Sequence, residues 1–264
     1  MKLSGKVALI TGAARGLGRA YALHLARLGA DVVVNDIDMA AAAAYGEELT
    51  AASVPDEIRA LGTRSLGIVA DVTDQAQVNQ MVEQVIAEFG YVDILVNNAG
   101  GSLVPGPSLA SSVPEADFRK MMDLNLMGTI FCCQAVAEPM KEQRHGKIVN
   151  VGSQAGLRSQ GGGSGTSYAV AKAAIQHYTR KLASELGPYN VNVNCIAPGW
   201  ILSSRAIAGG RNRPEVRARL DEEIALKRLG QPEDCAKVVE FLVTDLSDYV
   251  TGQVIPVCGG VCLF

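Results

Sequence analysis

The sequence has few of the residues that mark several large classes of protein. It contains only 3 histidines, and its 6 cysteines form no CxxC pair, so no spacing typical of a zinc site is present. Its 24 basic residues stand against 27 acidic ones, and the net charge of −3 argues against binding to nucleic acid or to an anionic membrane. No apolar run reaches the roughly 18 to 20 residues of a membrane span, and the one near the amino end is too short for a signal peptide. We therefore interpret the cysteines as reduced thiols of a cytoplasmic protein that holds no metal.

The residues that are present suit a globular protein with a large core. Hydrophobic residues make up 48% of the chain, charged residues 19%, and 28 of the 264 residues are glycine. Short β-branched runs alternate with longer amphipathic stretches that begin near residues 16, 39, 75, 114, 167 and 232. This alternation predicts βαβ units and a doubly wound, mainly parallel sheet whose strands are covered on both faces. The seven predicted strands are Val7–Ile10, Val32–Val34, Ile68–Val69, Ile94–Val96, Ile148–Val151, Val191–Ile196 and Val254–Val257.

Two stretches interrupt this alternation. Residues 39–62 contain five consecutive alanines and then Pro55, so we expect this helical region to break into two pieces. Residues 199–229, between the sixth strand and the last helix, are predicted to form an inserted lid. Because no Pro- or Ser-rich linker divides the chain, we expect one α/β domain over residues 1–264.

The first strand is followed by a glycine-rich turn of the kind that binds phosphates. Residues 11–18 read TGAARGLG and open the first predicted helix. Glycines allow the backbone to approach a pyrophosphate, while the amino end of the helix offers free N–H groups and a favourable dipole. The spacing is GxxxGxG, not the GxGxxG of the usual dinucleotide fingerprint, so a merely structural turn is the alternative.

Asp36 ends the second strand, 18 residues after Gly18, where an acidic side chain meets the ribose hydroxyls of a bound adenosine. Its carboxylate would repel a 2′-phosphate by about 4 kcal/mol at 4 Å and an effective dielectric constant of 20. Arg15, inside the loop, favours the opposite preference because a guanidinium can pair with a phosphate. We expect the carboxylate to dominate, so the predicted cofactor is NAD.

A tyrosine and a lysine begin the helix that follows the fifth strand. Tyr168 and Lys172 are four residues apart and share one face, and Ser153 closes the strand at the carboxyl edge of the sheet. A tyrosine with a pKa near 10 must have that pKa lowered by about 2 to 3 units to act as a base at pH 7. A lysine ammonium one turn away, together with a cationic nicotinamide, supplies such a shift, and Ser153 would hold the substrate oxygen. The alternative is an ordinary amphipathic helix, because this spacing is common.

In this order and spacing, the motifs resemble those of the short-chain dehydrogenase/reductase family in its single-domain branch. The resemblance covers nearly the whole chain and implies a Rossmann-like fold with the strand order 3-2-1-4-5-6-7. It rests on TGAARGLG at 11–18, Asp71 after the third strand, NNAG at 97–100, Asn125 in LNLMG, Ser153, YAVAK at 168–172, PGW at 198–200 and TGQVIPVCGG near the end.

The resemblance implies a role for each matching residue. Tyr168 would be the general acid/base, Lys172 would hold the nicotinamide ribose and lower the pKa of the tyrosine, and Ser153 would position the substrate oxygen. Asn125 would bend its helix and hold a water that links Lys172 to solvent. With Arg15, the implied cofactor residues are Gly12, Gly16, Leu17, Gly18, Asp36, Asp71, Val72, Asn98, Ala99, Gly100, Tyr168, Lys172, Pro198, Gly199, Ile201 and Ser203.

Within that set, the glycines and Leu17 would contact the pyrophosphate, and Asp36 would bind the ribose. Asp71 and Val72 would frame the adenine, residues 98–100 would support the cofactor, and residues 198–201 would cover the nicotinamide. Ser203 is the candidate for the position where the family often has a threonine that contacts the carboxamide.

Two regions near the expected substrate site depart from a simple transfer of the family pattern. Ser153 and Tyr168 are 15 residues apart, more than the family pattern has, and the excess falls in the glycine-rich loop RSQGGGSGTS. The lid carries seven basic residues against four acidic ones. These charges form either a mouth that attracts an anionic substrate, such as a carboxylate or thioester, or the solvated face of a lid helix.

The favoured function is an NAD-dependent oxidoreductase that transfers a hydride between the nicotinamide and the carbon of a secondary alcohol or ketone. The alternative is an NADPH-dependent 3-oxoacyl-(acyl carrier protein) reductase, against which Asp36 stands. A non-catalytic nucleotide-binding sensor is a third possibility. The expected partners are a small-molecule substrate and further copies of the chain, because the resemblance implies a homotetramer built on the helices near 114–142 and 167–188 and on the apolar tail.

Overall fold

The computed structural model describes residues 1–103, 108–159 and 163–263. Its strands are β1 (Val7–Thr11), β2 (Asp31–Asp36), β3 (Ser65–Val69), β4 (Ile94–Asn97), β5 (Gly146–Val151), β6 (Val191–Pro198) and β7 (Val254–Val257). They form one sheet in the order β3-β2-β1-β4-β5-β6-β7, and every neighbouring pair is parallel. The predicted order is therefore confirmed, and the sheet in the described ranges is parallel throughout.

Helices connect the strands and cover the sheet. They are α1 (Gly16–Arg27), α2 (Ala41–Ala44), α3 (Val54–Ala60), α4 (Gln75–Phe89), α5 (Glu115–Met122), α6 (Gly128–Gln143), α7 (Thr166–Leu186), α8 (Ser204–Ala208), α9 (Pro214–Glu223) and α10 (Pro232–Val243). The expected break between two helical pieces is confirmed by α2 and α3. Pro55 lies in the first turn of α3, where its missing N–H costs no hydrogen bond, and Ser53 caps that helix by accepting from the N–H of Asp56. Within the described residues, no helix is both long and apolar enough to cross a membrane.

The core has one layer on each face of the sheet. Helices α1 and α10 pack on one face, whereas α4, α6 and α7 cover the other. Every residue of β1, β4 and β5 is buried, as their apolar runs predict. The prediction of coverage on both faces is wrong for β3 and β7, which are largely part-exposed because they form the two edges of the sheet.

The segment between β6 and α10 folds into α8, α9 and their loops. A small separate cluster of buried residues lies within it, namely Leu220, Ile224 and Leu229. The two ends of the segment lie next to each other, because Ile201 forms a parallel bridge with Gly230. There the N–H of Leu202 donates to the carbonyl of Gly230 at 2.8 Å, so the base of the lid is closed by backbone hydrogen bonds.

Candidate active site

The carboxyl ends of the parallel strands meet at one edge of the sheet. The chain runs from β1 to β2 on one side, whereas β4 lies on the other side of β1, and ligands of doubly wound sheets bind where connections diverge in this way. A cleft of about 950 Å³ opens at this edge. The predicted site residues that line it are Leu17, Asn98, Gly100, Ser153, Tyr168, Lys172, Pro198, Gly199, Ile201 and Ser203.

The glycine loop after β1 packs closely against the end of β4. Gly12 has a φ of +62°, and a Cβ there would come within 2.8 Å of the Cα of Ala99, so the position suits only glycine. A Cβ on Gly18 would collide with the carbonyl of Gly12, so α1 begins against the loop itself. The side-chain amide of Asn98 donates to the carbonyls of Thr11 and Gly12 at 3.0 and 2.9 Å. The NNAG segment therefore holds the glycine loop in position.

The amino end of α1 accommodates an anion. The N–H of Gly16 donates to Oε1 of Glu47 at 2.7 Å, so a carboxylate oxygen already occupies a position at this helix end. The hydroxyl of Ser204 lies 3.9 Å from the point where a Cβ on Gly16 would stand. That hydroxyl is buried and has no hydrogen-bond partner within the described ranges. A free hydroxyl beside a glycine loop and a helix amino end suits a pyrophosphate, so these residues fit a dinucleotide.

The two residues expected to choose between NAD and NADP border the same loop. Asp36 lies at the end of β2, and its Oδ2 accepts from the N–H of Ala14 at 3.1 Å. The guanidinium of Arg15 lies over the ring of Tyr45, 3.9 Å from its centre. The carboxylate is thus held by the loop backbone, whereas Arg15 is held by the connection between β2 and β3.

Asp71 and Val72 follow β3, which pairs with β2 and ends at the same edge of the sheet. Oδ1 of Asp71 accepts from the N–H and the hydroxyl of Thr73 at 2.9 and 2.8 Å. Val72 is buried against Gly128 at the start of α6. The two residues make a turn and a packing contact and do not line the cleft, and their contact with an adenine stays a prediction.

Three side chains that are distant in sequence converge on the cleft. Tyr168 and Lys172 lie in the first two turns of α7, and Nζ of Lys172 is 5.7 Å from the centre of the Tyr168 ring. Ser153 follows β5, and its hydroxyl lies close enough to Tyr168 to lower the pKa of the phenol. Its hydroxyl also accepts from the N–H of Ala155 at 3.2 Å, which fixes its position. The glycine-rich loop between them borders the cleft with residues 158–159 and 163–166, while residues 160–162 lie outside the described residues.

Charge and burial act in opposite directions on Tyr168. Burial raises the pKa of its phenol above the usual value, and the nearby hydroxyl of Ser153 and the positive charges of Arg205 and Arg211 lower it only in part. The cations that act on Tyr168 are therefore arginines of the lid, and the lowering of its pKa by Lys172 stays a prediction.

Lys172 is buried beside the tyrosine, with only 3% of its surface exposed. Its Nζ donates to the carbonyl of Val151 at 2.8 Å, which anchors the side chain at the end of β5. Burial lowers the pKa of Lys172 to about 8, because a low-dielectric environment penalises the ammonium. A group with such a pKa can exchange a proton near neutral pH.

A π-helical turn, Asp123–Met127, separates α5 from α6 and contains the fully buried Asn125. The side-chain amide of Asn125 donates to the carbonyl of Gly101 at 3.1 Å, and its Oδ1 accepts from the N–H of Gly101 at 2.9 Å. A Cβ on Gly100 would be 2.7 Å from this Oδ1 and 3.6 Å from Nζ of Lys172, so the three groups lie together. The helix expected over 114–142 is interrupted at Asn125, and the water relay stays a prediction.

The start of the lid supplies another wall of the cleft. Pro198, Gly199 and Ile201 line it where β6 ends. The hydroxyl of Ser203 accepts from the N–H of Ala206 at 3.4 Å and so caps α8. Its predicted contact with a carboxamide would therefore compete with, or add to, this capping bond.

Two lid arginines that the sequence did not distinguish from their neighbours lie in the cleft. Arg205 donates to the carbonyl of Gly100 at 3.4 Å. Arg211 donates to the carbonyl of Ile201 at 2.7 Å, and its guanidinium lies 5.2 Å from the centre of the Trp200 ring. All seven basic lid residues give the same sequence signal, and only the path of the lid brings these two, with Arg213 and Arg219, to the lining of the cleft. Sequence reasoning also missed Glu47 and Ser204, because no sequence pattern marks side chains that approach the glycine loop from other segments.

Known proteins match this chain over nearly its whole length. A family model described as Enoyl-(Acyl carrier protein) reductase matches residues 12–262. Cyclohexanol dehydrogenase of Rhodococcus sp. (strain TK6) is 51% identical, with 98% of this chain and 97% of that protein covered. Subunit BbsD of a (hydroxy(phenyl)methyl)succinyl-CoA dehydrogenase of Thauera aromatica is 44% identical, with 100% and 99% covered. A 3-oxoacyl-(acyl carrier protein) reductase of Staphylococcus epidermidis is 37% identical over 97% of this chain and 98% of its own.

Solved structures show the same likeness. The structure of a 7α-hydroxysteroid dehydrogenase complexed with NADH and 7-oxo glycochenodeoxycholic acid has a TM-score of 0.87 and 37% identity, and it matches 98% of this chain and 95% of its own. The chain therefore belongs to the short-chain dehydrogenase/reductase family. It is an oxidoreductase that acts on CH–OH groups.

Proposed function

We propose that this protein is an NAD-dependent dehydrogenase of secondary alcohols, which reduces the matching ketones in the reverse direction. The observation that carries the proposal is the convergence of Ser153, Tyr168 and Lys172 beside a glycine loop that fits a dinucleotide. The similarity to cyclohexanol dehydrogenase supports a secondary alcohol as the substrate. The nicotinamide supplies the hydride acceptor, so the chain itself has to hold the alcohol and move one proton.

Tyr168 is the group that moves this proton. As a phenolate it takes the proton of the alcohol, and as a phenol it returns that proton during ketone reduction. Ser153, which lines the cleft with Tyr168, holds the substrate oxygen at the same point. Lys172, one helical turn away, favours the phenolate by its charge and holds the nicotinamide ribose. Asn125, beside Lys172, holds the water through which the proton reaches solvent.

The carboxyl edge of the sheet would hold the dinucleotide. Gly12, Gly16, Leu17 and Gly18 of the glycine loop would bind its pyrophosphate, and the buried hydroxyl of Ser204 supports this assignment. Residues 71–72 would frame the adenine and residues 98–100 would support the cofactor. Residues 198–201 would cover the nicotinamide, and Ser203 would contact its carboxamide.

Asp36 selects NAD over NADP. The carboxylate is held at the end of β2 by the N–H of Ala14, where a 2′-phosphate would bring a second negative charge next to it. Glu47 adds another carboxylate to the same loop. Arg15 is the opposing residue, but its guanidinium is engaged with Tyr45. The NADH in the complex of the similar hydroxysteroid dehydrogenase agrees with this preference.

An NADPH-dependent 3-oxoacyl-(acyl carrier protein) reductase is the second candidate. The observation that favours it is the 37% identity to such a reductase over nearly the full chain. Asp36 opposes it, because its carboxylate places negative charge where NADPH would bring its extra phosphate.

The assembly we propose is a cytoplasmic homotetramer of single-domain chains. The edge strand β7 is part-exposed throughout, and Leu263 in the apolar tail is 81% exposed in the single chain. Burial of such a surface against a second copy is favourable. All six cysteines are free thiols, which agrees with a reducing compartment. Light scattering coupled to size exclusion measures the mass directly, and a mass of one chain would contradict the tetramer.

A fluorescence titration with NADH and separately with NADPH tests the cofactor proposal first. We expect NADH to bind at least about tenfold more tightly, and turnover of secondary alcohols with NAD⁺ should then follow. Preference for NADPH would favour the acyl reductase. Failure to bind either dinucleotide would overturn both candidates.

A further inference from the structure

The cleft beside Tyr168 contains arginine side chains that form no ion pair with an acidic side chain of the described residues. Among the described residues, no Asp or Glu lines this cleft, and its basic lining residues are Arg158, Lys172, Arg205, Arg211, Arg213 and Arg219. Arg158 pairs with Glu223 at 3.0 Å, but within the described ranges neither Arg205 nor Arg211 has an acidic partner. Both are partly buried, and an unpaired guanidinium in such a place is costly because burial penalises its charge. The arrangement becomes favourable when an anion enters.

The two arginines face different parts of the cleft. Arg205 packs on Gly101 and donates to the carbonyl of Gly100, at the end of β4. Burial lowers the pKa of Arg205, and the charge of Arg15 in the glycine loop lowers it further. Arg205 is therefore held beside the glycine loop, and its charge acts on Tyr168 as well.

Arg211 is held at the lid wall of the same cleft, which Tyr168 also lines. Burial lowers the pKa of Arg211, and the strongest charge that acts on it after burial is that of Tyr168. Its Nη1 donates to the carbonyl of Ile201 at 2.7 Å, and its guanidinium lies 5.2 Å from the centre of the Trp200 ring. These contacts fix the plane of the guanidinium and leave its other N–H groups for a ligand.

We propose that the alcohol or ketone substrate carries a carboxylate, which Arg211 binds while Tyr168 acts on the substrate oxygen. This inference rests on the proposed function, because that function makes Tyr168 the reacting end of the cleft. A fixed guanidinium can form two parallel hydrogen bonds with a carboxylate, and this geometry sets the distance between the anion and the reacting carbon. The exposed Arg213 and Arg219 at the mouth of the cleft attract the same anion before it binds.

A matched pair of substrates tests the proposal in the whole enzyme. The pair is 3-hydroxycyclohexanecarboxylate and its methyl ester, which differ in charge but have the same ring and hydroxyl. We expect kcat/KM with NAD⁺ to be at least about tenfold higher for the acid, because a charge-assisted hydrogen bond stabilises only the acid. Equal values, or a preference for the ester, would overturn the proposal while leaving the alcohol dehydrogenase function intact.

Arg211→Gln assigns the effect to one side chain. We expect this variant to lower kcat/KM for the acid by about 10- to 100-fold, mainly through KM, and to change that for the ester by less than about threefold. Arg217→Gln is the matched control, since Arg217 lies on α9 of the same lid, is exposed and does not line the cleft. An equal loss in both variants would mean that general attraction, not a binding contact, favours the acid, and the proposal would fall.

Trp200 provides a readout that does not require turnover. It is the only tryptophan of the chain and lies next to Arg211, so its emission reports a ligand bound there. We expect cyclohexanecarboxylate to change this emission at concentrations at least about tenfold lower than cyclohexanemethanol does, and Arg211→Gln to abolish the difference. If neither alcohol is oxidised, the proposed function fails, and this titration alone decides whether the anion site exists. No difference between the two ligands would overturn the anion site.

Discussion

The glycine loop beside the cleft and the lid that lines it hold their charged side chains differently. At the glycine loop, Asp36 and Glu47 accept hydrogen bonds from backbone N–H groups of the loop. At the lid, Arg205 and Arg211 donate to backbone carbonyls and have no acidic partner among the described residues. The first end is shaped by the backbone of a strand, a turn and a helix, whereas the second is shaped by side chains on a separately folded segment. The two ends therefore bind by different means: the loop through backbone geometry, and the lid through charge.

The largest effect should come from the group between the two ends. Tyr168→Phe removes the hydroxyl that takes the proton, so we expect kcat to fall by about 10²- to 10⁴-fold while the dissociation constant of NADH stays within about threefold. Stopped-flow turnover and a fluorescence titration measure the two quantities. Tyr189→Phe, at the surface after α7, is the control and should leave both unchanged. Undiminished turnover in Tyr168→Phe would revive the sensor as a function for this fold.

The charge of the glycine-loop end is tested by Asp36→Asn. This change removes the carboxylate but keeps the size of the side chain, so the repulsion of a 2′-phosphate disappears and the ribose hydrogen bonds weaken. We expect the ratio of the dissociation constants of NADPH and NADH to fall by about 10- to 100-fold. An unchanged ratio would mean that Arg15, not Asp36, determines the preference.

The buried ammonium of Lys172 should lower the free energy of unfolding, although the residue supports catalysis. Its pKa is lowered to about 8, so the folded protein binds its proton less strongly than the unfolded chain does. Below pH 8 both states are protonated and the full cost applies; between pH 8 and 10.5 only the unfolded state keeps the proton, so stability rises with pH. We expect Lys172→Met to raise the free energy of unfolding at pH 7 by about 2 kcal/mol, after allowance for the lost bond to Val151.

That gain in Lys172→Met should shrink as the pH rises from 8 to 10.5, and urea titrations at several pH values measure it. Lys181→Met is the control, because Lys181 is exposed on the same helix and should show no such trend. A gain that does not change with pH would contradict the burial of an ammonium at this site.

The smallest effect should come from Glu47. Its carboxylate holds the N–H of Gly16 and pairs with Arg19 at 3.3 Å, so it has to release the helix end when a pyrophosphate binds. We expect Glu47→Gln to tighten NADH binding by about two- to fivefold, since a neutral amide competes less for the helix end. Glu48→Gln, one residue further along and exposed, should have no effect. Weaker binding in Glu47→Gln would show instead that this carboxylate holds the ribose.

The sequence predicts the sheet and the glycine loop because their chemistry imposes residue types. A buried parallel strand requires an apolar run, and the close contact between Gly12 and Ala99 tolerates no side chain. Asp36 could be found by its place at a strand end. Asn125 and Asp71 were found only through the resemblance, because an asparagine in a helix and an aspartate after a strand are usually structural.

The lid arginines and Glu47 could not be found in this way. Arg211 reaches the cleft because α8 and α9 bring it back over Trp200, and no periodic pattern encodes that path. Glu47 reaches Gly16 across a connection of irregular structure between α2 and α3. The apolar runs of β3 and β7 led to an overestimate of their burial. An apolar run does not show whether its strand lies in the centre of the sheet or at its edge.

The bridge between Ile201 and Gly230 brings the two ends of the lid together, so another segment could be joined to the sheet at the same place. Backbone hydrogen bonds between residues 201–202 and Gly230 join the two ends of residues 202–229. The segment is therefore an insertion whose two ends meet next to the sheet. Its small cluster around Leu220 is separate from the two main cores, so new lengths and charges within it leave the sheet untouched. A graft of a relative's segment, joined at the same place, would then transfer that relative's choice of alcohol while Ser153, Tyr168 and Lys172 stay where they are.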